Sequence, residues 1–173
     1  MSDGPYNVLF LCTGNSARSQ MAAALLGNLG AGRFRAFSAG SHPAAEVNPL
    51  TLEMLERAGL ATAGLRPKSW DEFCAPDAPA LDFVFTVCDK AAAEPCPVWP
   101  GQPLSAHWGF PDPAAYEAAN AAERRAVFAD VFRQIQNRIR LLVSLPIERL
   151  DRLSLQNRLD AIGRQDPTAE DSA

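Results

Sequence analysis

The feature that most constrains the fold of this chain is an alternation of two kinds of segment. Short apolar segments are each followed by a segment in which apolar residues recur at the spacing of a helix. The first apolar segment covers residues 7–11 and has the length and composition of a strand buried on both faces. From Arg18 to a stop at Gly30, apolar residues then recur at helical spacing. Strands that alternate with helices form parallel sheets covered by helices on both faces. The sequence therefore predicts an α/β fold built on a parallel sheet.

The same alternation continues along the chain. Asn48 followed by Pro49 is typical of a helix start, and Ser69 with Glu72 fits a capping box that opens a short helix. Further strands are predicted at residues 34–38, 82–87 and 104–108, and longer helices at 49–58, 119–145 and 150–162. The residues after the last helix have the composition of a disordered tail.

Composition limits the classes of protein to which this chain can belong. With 173 residues, 47% of them hydrophobic and 21% charged, it has the size and composition of one soluble globular domain. The formal net charge of −4 predicts no nucleic-acid partner. Since no apolar run approaches the ~20 residues needed to span a bilayer and no secretion signal is visible, we expect a cytoplasmic protein without a membrane partner. In that compartment the four cysteines should be thiols.

A cysteine at the end of the first predicted strand is the strongest indication of function. In open α/β sheets, ligands bind beyond the carboxyl ends of the strands, where Cys12 is expected to lie. The loop after it leads into a helix N-terminus, so its backbone N–H groups and the helix dipole would form a cradle for an anion. Arg18 adds a planar fork suited to two oxygens of a tetrahedral oxyanion. The predicted oxyanion-binding residues are Thr13, Gly14, Asn15, Ser16, Ala17, Arg18 and Ser19.

These surroundings also predict a reactive thiol. Positive charge and N–H donors stabilise a thiolate, so the pKa of Cys12 is expected to fall below its ordinary value. The hydroxyl of Ser19 is placed to donate to that thiolate. The alternative interpretation is a buried strand cysteine with an unrelated arginine.

Asp112 is a candidate general acid. It lies between two prolines in a loop after the fourth predicted strand. A carboxylic acid held over the mouth of the anion site would protonate a departing oxygen. An aspartate before a proline is also typical of a helix N-cap, and one carboxylate can serve both roles.

The segment "CTGNSARSQMAAALL", which begins at Cys12, resembles the phosphate-binding loop of low-molecular-weight protein tyrosine phosphatases and, more closely, that of the thioredoxin-coupled arsenate reductases. The resemblance covers residues 7–145 and includes "SAG" at 38–40, "VNP" at 47–49 and "HWGFPDPA" at 107–114. It implies a three-layer sandwich with a four-stranded parallel sheet, in a phosphatase-like arsenate reductase domain of residues 1–145. The helix and tail that the residue pattern predicts at 146–173 form an extension beyond that domain. It also implies that Cys12 is the nucleophile, Arg18 the oxyanion binder and Asp112 the general acid, with Asn15 and Ser19 stabilising the loop and the thiolate.

Two further cysteines favour the reductase over the phosphatase. Cys88 ends the third predicted strand, at the same edge of the sheet as Cys12, and Cys96 follows in a loop between prolines. In the reductases that this chain resembles, two such cysteines carry a disulfide outward. The resemblance therefore implies reduction of arsenate to arsenite through a Cys12–Cys88–Cys96 relay, with no resident cofactor and with thioredoxin or a similar dithiol protein as the reductant.

Other interpretations remain open or are disfavoured. A tyrosine phosphatase with a Cys12 phosphocysteine intermediate is the main alternative, although Ala114 and Ala115 follow the Asp-Pro pair where phosphatases carry an aromatic residue. A non-enzymatic redox sensor or anion-binding protein is the third hypothesis. No metal site is predicted, because the chain has no Cys-x2-Cys pair and has Ala23 where some family members carry a potassium-binding glutamate. Cys74 is interpreted as a packed, inert thiol, and Arg138 as part of a solvated helix face.

Overall fold

The computed structural model describes residues 4–95 and 97–165 and contains one sheet of four strands. Every pair of neighbouring strands is parallel, and the spatial order is β2-β1-β3-β4. The predicted four-stranded parallel sheet is therefore confirmed, and the carboxyl ends of its strands share one edge. The strands are β1 (Tyr6–Cys12), β2 (Phe34–Gly40), β3 (Phe83–Thr86) and β4 (Leu104–His107).

The predicted helices are also present, and their caps follow from the sequence. Asn48 Oδ1 accepts a hydrogen bond from the Leu50 N–H, and Asn120 caps the longest helix in the same way. The capping box at Ser69 forms only in part: Ser69 Oγ accepts from the Asp71 N–H, but the Glu72 carboxylate pairs with Arg66, and the turn at Trp70–Phe73 is a 3₁₀ helix. The α-helices are α1 (Arg18–Leu29), α2 (Pro49–Arg57), α3 (Asp89–Ala93), α4 (Ala121–Ser144) and α5 (Arg152–Gly163).

Alternate residues of β1 serve two hydrophobic cores, as expected for a strand buried on both faces. Val8 and Phe10 point into the larger core, which the sheet shares with α1, α4 and α5. Leu9 and Leu11 point into a smaller core, which is closed by the 3₁₀ turn and Trp99. The sheet thus lies between two layers, and strand β1 is almost entirely buried.

The chain after α4 packs onto the sheet. Helix α5 covers the edge strand β4, where Gln156 Nε2 donates to the Ser105 carbonyl at 2.8 Å. Next to this strand, the Trp108 indole donates to the Leu159 carbonyl at 3.0 Å. An uncovered edge strand would present unpaired backbone N–H and C=O groups, and the Gln156 side chain of α5 pairs with one of these carbonyls. The division of the chain after residue 145 remains a prediction, and the predicted tail at 166–173 lies outside the described residues.

One sequence-based expectation about the surface is wrong: the sequence predicts Arg138 on a solvated face of α4, but the structure buries this residue, which is only 4% exposed. The segment predicted as the loop of Cys96 begins with the short helix α3, which ends at Ala93, before Pro95. Within the described part of the chain, no helix has the length and apolar character needed to cross a membrane.

Candidate active site

A cavity of about 530 Å³ opens at the carboxyl edge of the sheet, where β1 and β3 end. It brings together most of the residues predicted to form the site, although they lie far apart in the sequence. Ser19 is fully buried behind Cys12. Cys96 lies outside the residues that the structure describes. The predicted residues that line the cavity are Cys12, Thr13, Gly14, Asn15, Ser16, Ala17, Arg18, Cys88 and Asp112.

The loop after Cys12 is held by the side chain of Asn15. Its backbone is in the left-handed region, with φ of 51°, which asparagine tolerates better than most residues. Its Nδ2 donates to Ser19 Oγ at 2.8 Å, and its Oδ1 accepts from the Lys68 N–H at 3.0 Å. Gln20 Nε2 donates to the Asn15 carbonyl at 3.0 Å. This buried network fixes the loop independently of any ligand.

Gly40 lets the loop approach strand β2 closely. A Cβ at this position would collide with the Thr13 carbonyl oxygen and would lie 3.1 Å from the Asn15 backbone nitrogen. The absence of a side chain is therefore a steric requirement of the loop, not a matter of turn conformation.

The Cys12 thiol receives two hydrogen bonds. The Asn15 N–H donates to its Sγ at 3.1 Å, and Ser19 Oγ lies 2.8 Å away. Because Ser19 Oγ already accepts from Asn15 Nδ2, its own hydrogen is free to point at the sulfur. Burial raises the pKa of the Cys12 thiol, and the bonds from Ser19 and Asn15 lower it. The expected fall in pKa is not confirmed, because burial outweighs these hydrogen bonds.

Arg18 and Asp112 face each other at the mouth of the cavity. Arg18 Nη1 donates to the Phe110 carbonyl at 3.0 Å, and its Nη2 lies 3.6 Å from Asp112 Oδ2. Asp112 Oδ1 accepts from the Ala114 N–H at 3.0 Å. The carboxylate thus uses one oxygen to hold a turn and presents the other to the site. The N-cap alternative is wrong in detail, because α4 begins later and is capped by Asn120.

Cys88 is a second buried thiol in the same cavity. It is 2% exposed, and its Sγ accepts from the Ala91 N–H at 3.4 Å, so it caps α3. The Thr13 hydroxyl lies 3.7 Å from this sulfur. Asp89, the next residue, is held by His107 Nε2 at 2.8 Å. The end of β3 therefore carries a thiol that faces the loop of Cys12.

Sequence reasoning missed the residues that support the loop from elsewhere. Lys68 contacts Asn15 from 53 residues away and Phe110 contacts Arg18 from 92 residues away, whereas Gln20 contacts Asn15 from only five residues away, in the first turn of α1. The sequence offers one weak indication for Gln20: it lies among the residues of helical period after Arg18, and an amide is unusual on the buried face of a helix. Cys74 is half-buried, and burial raises the pKa of its thiol; that this thiol is inert stays a prediction.

Fold and site together define a protein with a buried cysteine at the carboxyl edge of a parallel sheet, followed by a loop and helix that donate a backbone N–H and a serine hydroxyl to the thiol. The family model described as low molecular weight phosphotyrosine protein phosphatase matches residues 7–155. This chain belongs to that family. The chain is 35% identical to an arsenate reductase of Halalkalibacterium halodurans over 133 residues, and the match covers 77% of this chain and 91% of the relative.

Two solved structures share the fold. One is described as an arsenate reductase in the phosphate binding state; it has 29% sequence identity and a TM-score of 0.66, and the match covers 80% of this chain and 97% of that one. The other is a thioredoxin-dependent arsenate reductase of Corynebacterium glutamicum, with 30% identity and a TM-score of 0.60. That match covers 82% of this chain and spans 62% of the length of the other protein.

Proposed function

We propose that this protein is an arsenate reductase that converts arsenate to arsenite. The observation that carries the proposal is the second buried thiol, Cys88, which lines the cavity of Cys12. Hydrolysis of a phosphate ester needs one nucleophile and water, whereas reduction of As(V) to As(III) needs two electrons from thiols. The names of the relatives and of both solved structures support the same activity.

In the first step, arsenate enters the loop and Cys12 Sγ attacks arsenic. The loop N–H groups and the Arg18 fork hold the oxygens, and Asp112 gives a proton to the departing hydroxide, which leaves as water. The thiol must first lose its proton. Burial opposes that loss, and the hydrogen bonds from Ser19 and the Asn15 N–H favour it.

In the second step, the Cys88 thiolate attacks the sulfur of Cys12. The S–As bond breaks and its electron pair stays on arsenic, so As(V) becomes As(III) and leaves as arsenite. The two sulfurs are oxidised to a Cys12–Cys88 disulfide, and electrons balance. Cys96 then attacks Cys88 and frees Cys12, and an external dithiol reduces the resulting Cys88–Cys96 disulfide.

The reductant is a dithiol protein of the thioredoxin type, in keeping with the name of the Corynebacterium glutamicum protein. The reaction then needs no resident metal or cofactor, because all electrons come from cysteines. A reducing compartment such as the cytoplasm would keep the resting thiols ready.

The test combines two variants with a single dose of arsenate and mass spectrometry of the trapped species. Cys88→Ser should stop the reaction at the arsenic adduct, and Cys96→Ser should accumulate the Cys12–Cys88 disulfide after one turnover. Cys74→Ser is the matched control, because this thiol lies away from the cavity and should leave turnover unchanged. The relay is wrong if Cys96→Ser turns over arsenate as fast as the unmodified protein.

The phosphatase alternative is tested by the same proteins. An aryl phosphate is the substrate, and its hydrolysis should be slow and independent of Cys88 and Cys96. Efficient hydrolysis without arsenate reduction would identify a phosphatase instead. Tyr116, the first aromatic residue after Asp112, is half exposed and is not among the residues that line the described cavity.

A further inference from the structure

The buried arginine of α4 joins three parts of the molecule. Arg138 Nη1 donates to the Gly109 carbonyl at 2.9 Å, and its guanidinium carbon lies 4.4 Å from the centroid of the Phe110 ring. Its Nη2 donates to the Gln165 carbonyl at 3.1 Å, just after the end of α5. One guanidinium therefore holds α4, the segment at Gly109 and Phe110, and the C-terminal end of α5 together.

That segment is where Arg18 is anchored. Arg18 Nη1 donates to the Phe110 carbonyl at 3.0 Å, and Asp112 follows two residues later. Phe110 is thus held by Arg138 on its ring and by Arg18 on its carbonyl. A shift of Phe110 would move the guanidinium of Arg18 relative to the loop that binds the oxyanion.

Stability alone does not explain a buried arginine here. Removing a guanidinium from water is costly, and burial lowers the pKa of Arg138. Buried charged groups can often be replaced by apolar residues of similar volume without loss of stability. The contacts of Arg138 point instead to a requirement for a planar group with several donors at this position.

We propose that Arg138 is a positioning residue for the oxyanion site, and that through it α5 becomes part of that site. The family match ends at residue 155, within α5, so the Gln165 contact comes from beyond the matched region. The inference rests on oxyanion binding at Cys12, as in the proposed function, but not on the reduction of arsenate.

The test measures the binding of inorganic phosphate by calorimetry, together with the melting temperature, in full-length variants. Arg138→Met should weaken phosphate binding by about fivefold to tenfold, which corresponds to the loss of about one hydrogen bond from Arg18. Arg138→Lys, which keeps the charge and a single donor nitrogen, should restore part of that affinity.

Arg33→Met is the matched control. Arg33 also donates to two backbone carbonyls, those of Val143 and Leu145, and lies over the ring of Phe34 at 5.3 Å. It makes the same kinds of contact far from the cavity. Its loss should lower the melting temperature and leave phosphate binding unchanged.

The contribution of α5 is tested separately. Gly163 packs against the His107 carbonyl, and a Cβ there would collide with it, whereas a Cβ at Gly27 in α1 would meet nothing within 4 Å. Gly163→Ala should displace the end of α5 and weaken phosphate binding in the same direction as Arg138→Met. Gly27→Ala should not.

The outcomes are distinct. Unchanged phosphate affinity in folded Arg138→Met overturns the inference and leaves the proposed function intact. If Arg138→Met does not fold, unchanged affinity in both Arg138→Lys and Gly163→Ala overturns it equally. Failure of the unmodified protein to bind either phosphate or arsenate overturns the proposed function and this inference together.

Discussion

The hydroxyl of Ser19 offers a direct test of how the site controls its nucleophile. Ser19→Ala removes the hydrogen bond to Cys12 Sγ at 2.8 Å and leaves the Asn15 N–H bond in place. Burial raises the pKa of Cys12 and the Ser19 bond lowers it, so the substitution should raise the pKa further. Since alkylation needs the thiolate, the midpoint of its pH profile should move to higher pH.

The size of the effect follows from one charge-assisted hydrogen bond. Such a bond contributes about 1.5–3 kcal/mol, which is a rise of about one to two pKa units. At a pH below both midpoints, each unit lowers the thiolate fraction about tenfold, while the greater basicity raises nucleophilicity about threefold. The net expectation is that alkylation is slower by about 3-fold for a rise of one unit and by about 11-fold for two.

The assay is the rate of iodoacetamide alkylation across the pH range, followed by mass spectrometry on the peptide that contains Cys12. Ser38→Ala is the matched control, because Ser38 is also buried but bonds Lys68 and not the thiol. Asn15 Nδ2 also loses its acceptor in Ser19→Ala, so the melting temperature is measured alongside. A midpoint that stays in place or moves to lower pH would refute the assigned role of Ser19.

Three further substitutions test the geometry of the site. Arg18→Lys should lower kcat/KM for arsenate by about 10- to 100-fold, because lysine keeps the charge but loses the two-pronged geometry of the guanidinium. Near-normal kinetics would contradict the assignment of Arg18 as the residue that binds two oxygens. Asp112→Asn keeps an acceptor for the Ala114 N–H but cannot act as an acid. We therefore expect kcat for arsenate to fall by about 10²- to 10⁴-fold while phosphate still binds. An unchanged kcat would exclude Asp112 as the general acid. Gly40→Ala should lower the free energy of unfolding by about 1–3 kcal/mol, because the added methyl group overpacks against the Thr13 carbonyl. The loss would be measured as a lower midpoint of urea unfolding. An unchanged midpoint would mean that the loop is free to move away.

Local sequence was enough for much of the fold because its signals act over short distances. The apolar run before Cys12 predicts β1, and the asparagines before Pro49 and Ala121 cap their helices through hydrogen bonds within three residues. Once a parallel sheet is inferred, its topology places Cys12 at the carboxyl edge, together with Cys88 at the end of the next strand. The candidate nucleophile and its loop were therefore predictable.

Long-range packing decided the rest. The burial that raises the pKa of Cys12 depends on the packing of the hydrophobic core to which this residue belongs, and no local sequence pattern encodes it. Arg138 has the sequence context of a surface residue, and only the docking of α5 and the Phe110 ring makes it internal. Asn15 likewise meets Lys68, a partner 53 residues away. A sequence determines which groups a chain can offer, but their burial and partners depend on contacts that form only when distant elements pack together.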